Sequence, residues 1–66
     1  MYHLIIKELG VERCLAVSEE DEFTNGMYID CAQDHGCIPA NPPLREINII
    51  CEGNKAIKRK AKIYSD

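Results

Sequence analysis

Three prolines fall within five residues, Pro39, Pro42 and Pro43, and no other feature limits the chain as strongly. Proline has no amide hydrogen to donate and its ring fixes φ, so residues 38–44 (IPANPPL) cannot continue a helix. They are read as a stiff, extended connection across the surface, serving either as a contact surface or as a plain spacer. The regular elements must be arranged on its two sides.

Before the connection, Tyr2–Glu8 and Val11–Ser18 read as strands. Leu9-Gly10 between them is short enough for a hairpin, because glycine accepts the positive φ that such turns require. Leu4 and Ile6 share one face of the first strand, and Val11, Leu15 and Val17 share one face of the second. Residues 18–37 then read as the only helix. Ser18 stands at an N-cap position, Glu19, Glu20, Asp21 and Glu22 suit the positive end of a helix dipole, and Asp21 is placed to close a capping box. Phe23, Met27 and Cys31 are spaced four apart, which predicts one buried face, and Gly36 is the expected C-cap. The weak point is Thr24-Asn25-Gly26, where glycine in a helix costs about 1 kcal/mol relative to alanine.

After the connection, residues 45–52 alternate, with Ile47, Ile49 and Cys51 on one face. Gly53-Asn54 is a two-residue hairpin signal, and residues 55–64 alternate again, with Lys58, Lys60 and Lys62 opposite Ile57, Ala61 and Ile63. The expected fold is therefore α+β in the order β-β-α-β-β, a four-stranded antiparallel sheet with one helix packed on one face, forming a single domain over residues 1–66.

A domain of 66 residues is near the lower limit at which a core of about a dozen side chains overcomes chain entropy. A homodimer, a metal or a disulfide would each help. No apolar run approaches a membrane span, and Glu8 interrupts the N-terminal apolar run where a signal peptide would continue it, so the expected compartment is the cytoplasm. That expectation makes free thiols the default for the four cysteines. If bridged, they admit three pairings, and the sequence does not choose among them.

The net charge of -3 conceals an uneven distribution. Glu8, Glu12, Glu19, Glu20, Asp21, Glu22, Asp30 and Asp34 face a single Arg13 in residues 8–34, while residues 55–62 carry Lys55, Lys58, Arg59, Lys60 and Lys62 and no acid. Two candidate surfaces follow. Glu19, Glu20, Glu22, Asp30 and Asp34 would offer carboxylates to a basic groove on a partner protein. Lys58, Arg59, Lys60 and Lys62, with Tyr64 beside them, would hold a partner or a nucleic-acid backbone. The plainer explanation of both is a solvated surface that keeps a small domain in solution.

Cys31, His35 and Cys37 form C-x3-H-x-C, a donor set that suits zinc if Cys14, Cys51 or His3 supplies a fourth ligand. The spacing matches no known finger or ribbon, so packing is the expected role and no cofactor is assigned. Cys31 and His35 at i, i+4 also have the composition of a thiol and base pair, with Asp30 or Asp34 to orient it. There is no glycine-rich turn or oxyanion-hole signature, so catalysis is not expected.

Three short stretches, Ile5-Ile6-Lys7-Glu8, Ala16-Val17-Ser18 and His35-Gly36, set in this order of elements, resemble the very small phage proteins that disable host defences, some anti-CRISPR proteins in particular. The resemblance implies a non-enzymatic inhibitor in the host cytoplasm. It would bind a host protein or ribonucleoprotein complex and block target DNA or a conformational change. It transfers no binding residues, and neither the proline-rich connection nor the four cysteines belongs to its pattern.

Overall fold

The computed structural model describes residues 1–53 and 55–66. Five strands, β1 (Tyr2–Glu8), β2 (Val11–Ser18), β3 (Met27–Ile29), β4 (Arg45–Cys51) and β5 (Ile57–Ser65), form one sheet in the order β2-β1-β5-β4-β3. β3 runs parallel to β4 and every other pairing is antiparallel. The sheet curls into a half-barrel, so the domain is all-β.

The expected helix over residues 18–37 is absent, which corrects the α+β assignment: among the described residues there is no helix. The reason is local competition for backbone hydrogen bonds. Short polar side chains satisfy nearby amides in turns as readily as a helix would. Ser18 Oγ accepts from Glu20 N at 3.3 Å, Asp30 Oδ1 from Ala32 N at 3.0 Å, and Asp34 Oδ1 from Gly36 N at 2.8 Å. Asn25 Oδ1 accepts from Asn48 N at 2.7 Å while Gly26 N donates to Asn48 O, which fastens this turn to β4. Gly26 sits at φ 83, a left-handed conformation that ends any helix there, and Met27–Ile29 continue as a strand. Phe23 is buried, and Met27 and Cys31 pack against the core, so the four-residue spacing marks inward positions without marking a helix.

The hairpin at Leu9-Gly10 forms as expected. Both residues have positive φ, 52 and 80, the combination of a type I′ turn. In β2 the expected face pattern fails because Leu4 pairs with Ala16 and Ile5 with Cys14, leaving Leu15 as an unpaired bulge residue. The bulge turns Leu15 into the core and leaves Val11 and Val17 exposed. The hairpin proposed at Gly53-Asn54 includes Asn54, which lies outside the described residues. β4 and β5 do pair, and the last partners are Cys51 and Ile57.

The core lies on one face of the sheet, where Leu4, Ile6, Leu15, Phe23, Ile47, Ile49, Cys51, Ala61 and Ile63 pack together. The opposite face carries a smaller cluster of Ile5, Cys14 and Tyr64, with Cys37 against it. Residues 30–37 join the two sides of the curl. Cys31 is bonded to Cys51 on β4, His35 N donates to Cys14 O on β2 at 2.9 Å, and Cys37 is bonded to Cys14. Four free thiols were the expectation, and both bridges correct it: among the described residues no cysteine is free. The Cα separations of 5.5 and 5.4 Å are those of ordinary disulfides. For a sheet with one layer and little apolar area, such staples are a usual device.

Candidate functional site

Strand alternation places Lys58, Lys60 and Lys62 on the side of β5 opposite the core, all exposed. β5 is the central strand of the five. β1 pairs with β5 only from Lys62 to Ser65, so Lys62 lies between two paired strands while Lys58 and Lys60 are paired on the β4 side alone. Pairing brings Ile5 of β1 and Glu46 of β4 to either side of Lys62, and Asn48 of β4 beside Lys60. Lys7 stands two residues beyond Ile5 on the same face and pairs with Glu12 of β2.

The result is an open depression of about 420 Å³, with the buried Ile5 and Tyr64 beneath Lys7, Lys60, Lys62, Glu12 and Glu46. Lys60 Nζ lies 3.8 Å from Glu46 Oε2, a long contact between exposed groups that contributes little to stability. Among the described residues, Lys58 and Lys62 make no ion pair. Tyr64 is only 8% exposed, so its ring supports the face from below and is not presented for stacking.

Comparison of the chain with family models, with curated proteins and with solved structures gives no match. Function must be read from the geometry.

Arg59, grouped with the lysines by sequence, projects to the other side. It lies 3.3 Å from Glu8, whose same carboxylate oxygen is 3.2 Å from Arg13. Arg13 also donates to Cys31 O at 2.6 Å, so this arginine pair ties β2 and β5 to the loop that closes the curl.

The acidic residues do not form one stripe. Glu19, Glu20 and Glu22 are exposed in the connection between β2 and β3. Asp30 and Asp34 each close a turn, and Asp34 lies 3.8 Å from Arg13, so both have structural work. Asp21, which sequence reading treated only as a cap, instead grips Arg45. That bidentate contact holds the Asp21 carboxyl below its usual range and raises Arg45.

The Cys31, His35 and Cys37 trio is dispersed. Cys31 and Cys37 belong to different bridges, and His35 is exposed. The histidine that does meet cysteines is His3, which shares a neighbourhood with Cys14 and Cys37. Lys7 was missed, and His3 was named only as an optional fourth ligand to the Cys31, His35 and Cys37 set, because the sequence carries no sign of which strands flank β1. Only the alternation of His3, Ile5 and Lys7 on one face was available.

Proposed function

We propose that this chain is a non-enzymatic binding protein that holds a polyanion, a single-stranded nucleic acid, on the open face of its sheet through Lys58, Lys60 and Lys62. The observation that supports this reading is the position of three exposed lysines on the central strand, two of them without an acidic partner among the described residues. A row of cations on a flat, uncovered face neutralises successive phosphates, and counterion release then drives binding. Lys7 extends the row across β1. Glu12 and Glu46 limit its net charge, which favours a weak, salt-sensitive contact. A non-enzymatic role agrees with the engagement of Cys31 by Cys51, since the Cys31 and His35 pair then offers no thiolate.

The test is fluorescence anisotropy of labelled single-stranded DNA and RNA over a range of salt. Binding should weaken steeply with salt, and each lysine among the three changed to alanine should reduce the salt slope by about 1. Binding that persists in the K58E/K60E/K62E variant would sink the proposal.

The exposed Glu19, Glu20 and Glu22 favour a second reading, in which a phage-encoded inhibitor presents them to a host defence complex. Two disulfides fit an oxidising compartment better than a host cytoplasm, and this weighs against it. Capture of a host complex by the native chain, but not by E19K/E20K/E22K, would decide in its favour.

A further inference from the structure

On the same sheet face, toward β2, His3 stands against the Cys14–Cys37 bridge. One ring nitrogen of His3 and the two sulfurs all lie within 4.8 Å of one another. His3 Nε2 lies 2.9 Å from Asp66 Oδ1, and because a carboxylate accepts there, the neutral ring carries its lone pair on Nδ1. That nitrogen is buried and, among the described residues, has no hydrogen-bond partner. Buried polar atoms are ordinarily satisfied, and an orphaned acceptor beside two sulfurs calls for an explanation.

We propose that, once the Cys14–Cys37 bridge is reduced, His3, Cys14 and Cys37 form a three-ligand site for zinc. Imidazole and thiolate are the preferred zinc donors, and three protein ligands leave a fourth position for water. The Asp66 carboxylate on the far ring nitrogen fixes the tautomer that coordinates, as such carboxylates do behind zinc-bound histidines. Two thiolates and a neutral imidazole also balance the charge of the ion, which suits a site where Cys14 is fully buried. The two Cα atoms are 5.5 Å apart. With zinc–sulfur bonds near 2.3 Å, the sulfurs of a tetrahedral site sit roughly 3.8 Å from each other, within reach of side-chain rotation.

The chemistry balances. A dithiol reductant gives two electrons and two protons to the bridge and itself closes to a disulfide. Each protein thiol then releases its proton to solvent as the ion binds. The same pair of cysteines thus holds residues 30–37 to β2 in either state, by a covalent bond when oxidised and through a metal when reduced. This inference does not depend on what the lysine face binds.

The test uses the full chain, reduced with a dithiol under nitrogen, freed of reductant and titrated with cobalt(II). Cobalt shows thiolate charge-transfer bands when bound by sulfur, and zinc should displace it. One equivalent should bind. The C31A/C51A variant should show the same bands, Cys14→Ser should lose them, and Asp66→Asn should weaken binding by roughly 10- to 100-fold. The proposal is overturned if His3→Gln leaves affinity and spectrum unchanged, or if Cys14→Ser retains the bands. Should the reduced chain unfold, recovery of its circular dichroism on adding zinc supports the site, and an unfolded chain that zinc leaves unchanged overturns it.

Discussion

Asp21 and Arg45, 24 residues apart, meet through two parallel hydrogen bonds of 2.6 and 2.5 Å, and Arg45 also donates to Phe23 O at 2.8 Å. The pair pins the β2–β3 connection to the start of β4 and seats Phe23 in the core. Because the contact lowers the Asp21 pKa below its usual 3.8, its stabilisation is complete above that value and is lost as pH falls through the folded-state pKa. Asp21→Asn should therefore be less stable than the native chain at pH 7, and the difference should shrink as the pH is lowered below about 4. Urea midpoints measured from pH 7 to pH 2 check this; a difference that stays constant would mean that charge is not the cause.

Leu9 has a φ of 52 and is 98% exposed, so it bears the cost of a left-handed backbone without burying its side chain. Asparagine tolerates that conformation and forms the favoured Asn-Gly turn. Leu9→Asn should stabilise the domain by about 1 kcal/mol, or raise the melting temperature by about 4–8 °C for a chain of this size. Thermal unfolding followed by circular dichroism gives the answer, and a lowered melting temperature would contradict the turn assignment.

The bridges close loops with sequence separations of 23 and 20. By loop-closure entropy each should contribute roughly 3 kcal/mol, less in combination because the loops overlap. Replacing Cys31 and Cys51 together with alanine should lower stability by an amount of that order. Peptide mapping without reduction should recover Cys14 linked to Cys37 and Cys31 linked to Cys51, and any other pairing would refute the connectivity.

Ile63 is fully buried on the central strand, whereas its neighbour Lys62 is exposed. Ile63→Ala should cost roughly 2–5 kcal/mol, comparable with the whole stability of so small a domain, and leave it largely unfolded. Lys62→Ala should change stability by no more than about 0.5 kcal/mol. Denaturation of the two variants side by side tests which face of β5 carries the core.

The strands and their faces were legible wherever local pattern decided them. Leu4 and Ile6 in β1, Ile47, Ile49 and Cys51 in β4, and Ala61 and Ile63 in β5 lie inside as their alternation implies, whereas Ile57, read on the same face of β5, is exposed at the strand's start. The lysine row was legible for the same reason. Residues 18–37 were not, because acidic residues after Ser18 and a four-residue apolar spacing fit a helix start and also fit a loop fastened from outside. What fastens it lies outside it, in Asn48, Arg45 and Cys51 beyond the proline-rich connection and in Cys14 before Ser18. Nor does any local signal say that β5 lies between β1 and β4, and on that placement the composition of the candidate binding face depends.

The placement of β5 also sets an order of events. The β1–β2 hairpin can close on its own, but among the described residues it has no strand ladder with β4 and joins the rest of the sheet through β5, whose residues are the farthest along the chain. During synthesis the amino-terminal hairpin and the β3–β4 pair share no backbone ladder until residues 57–65 have emerged, and residues 30–37 alone can tie them, through Cys14 and Cys51. A two-stranded hairpin is at best marginally stable alone. Sheet assembly in this protein should therefore be slow for its length and late on the ribosome, governed by the search of one strand for its two partners.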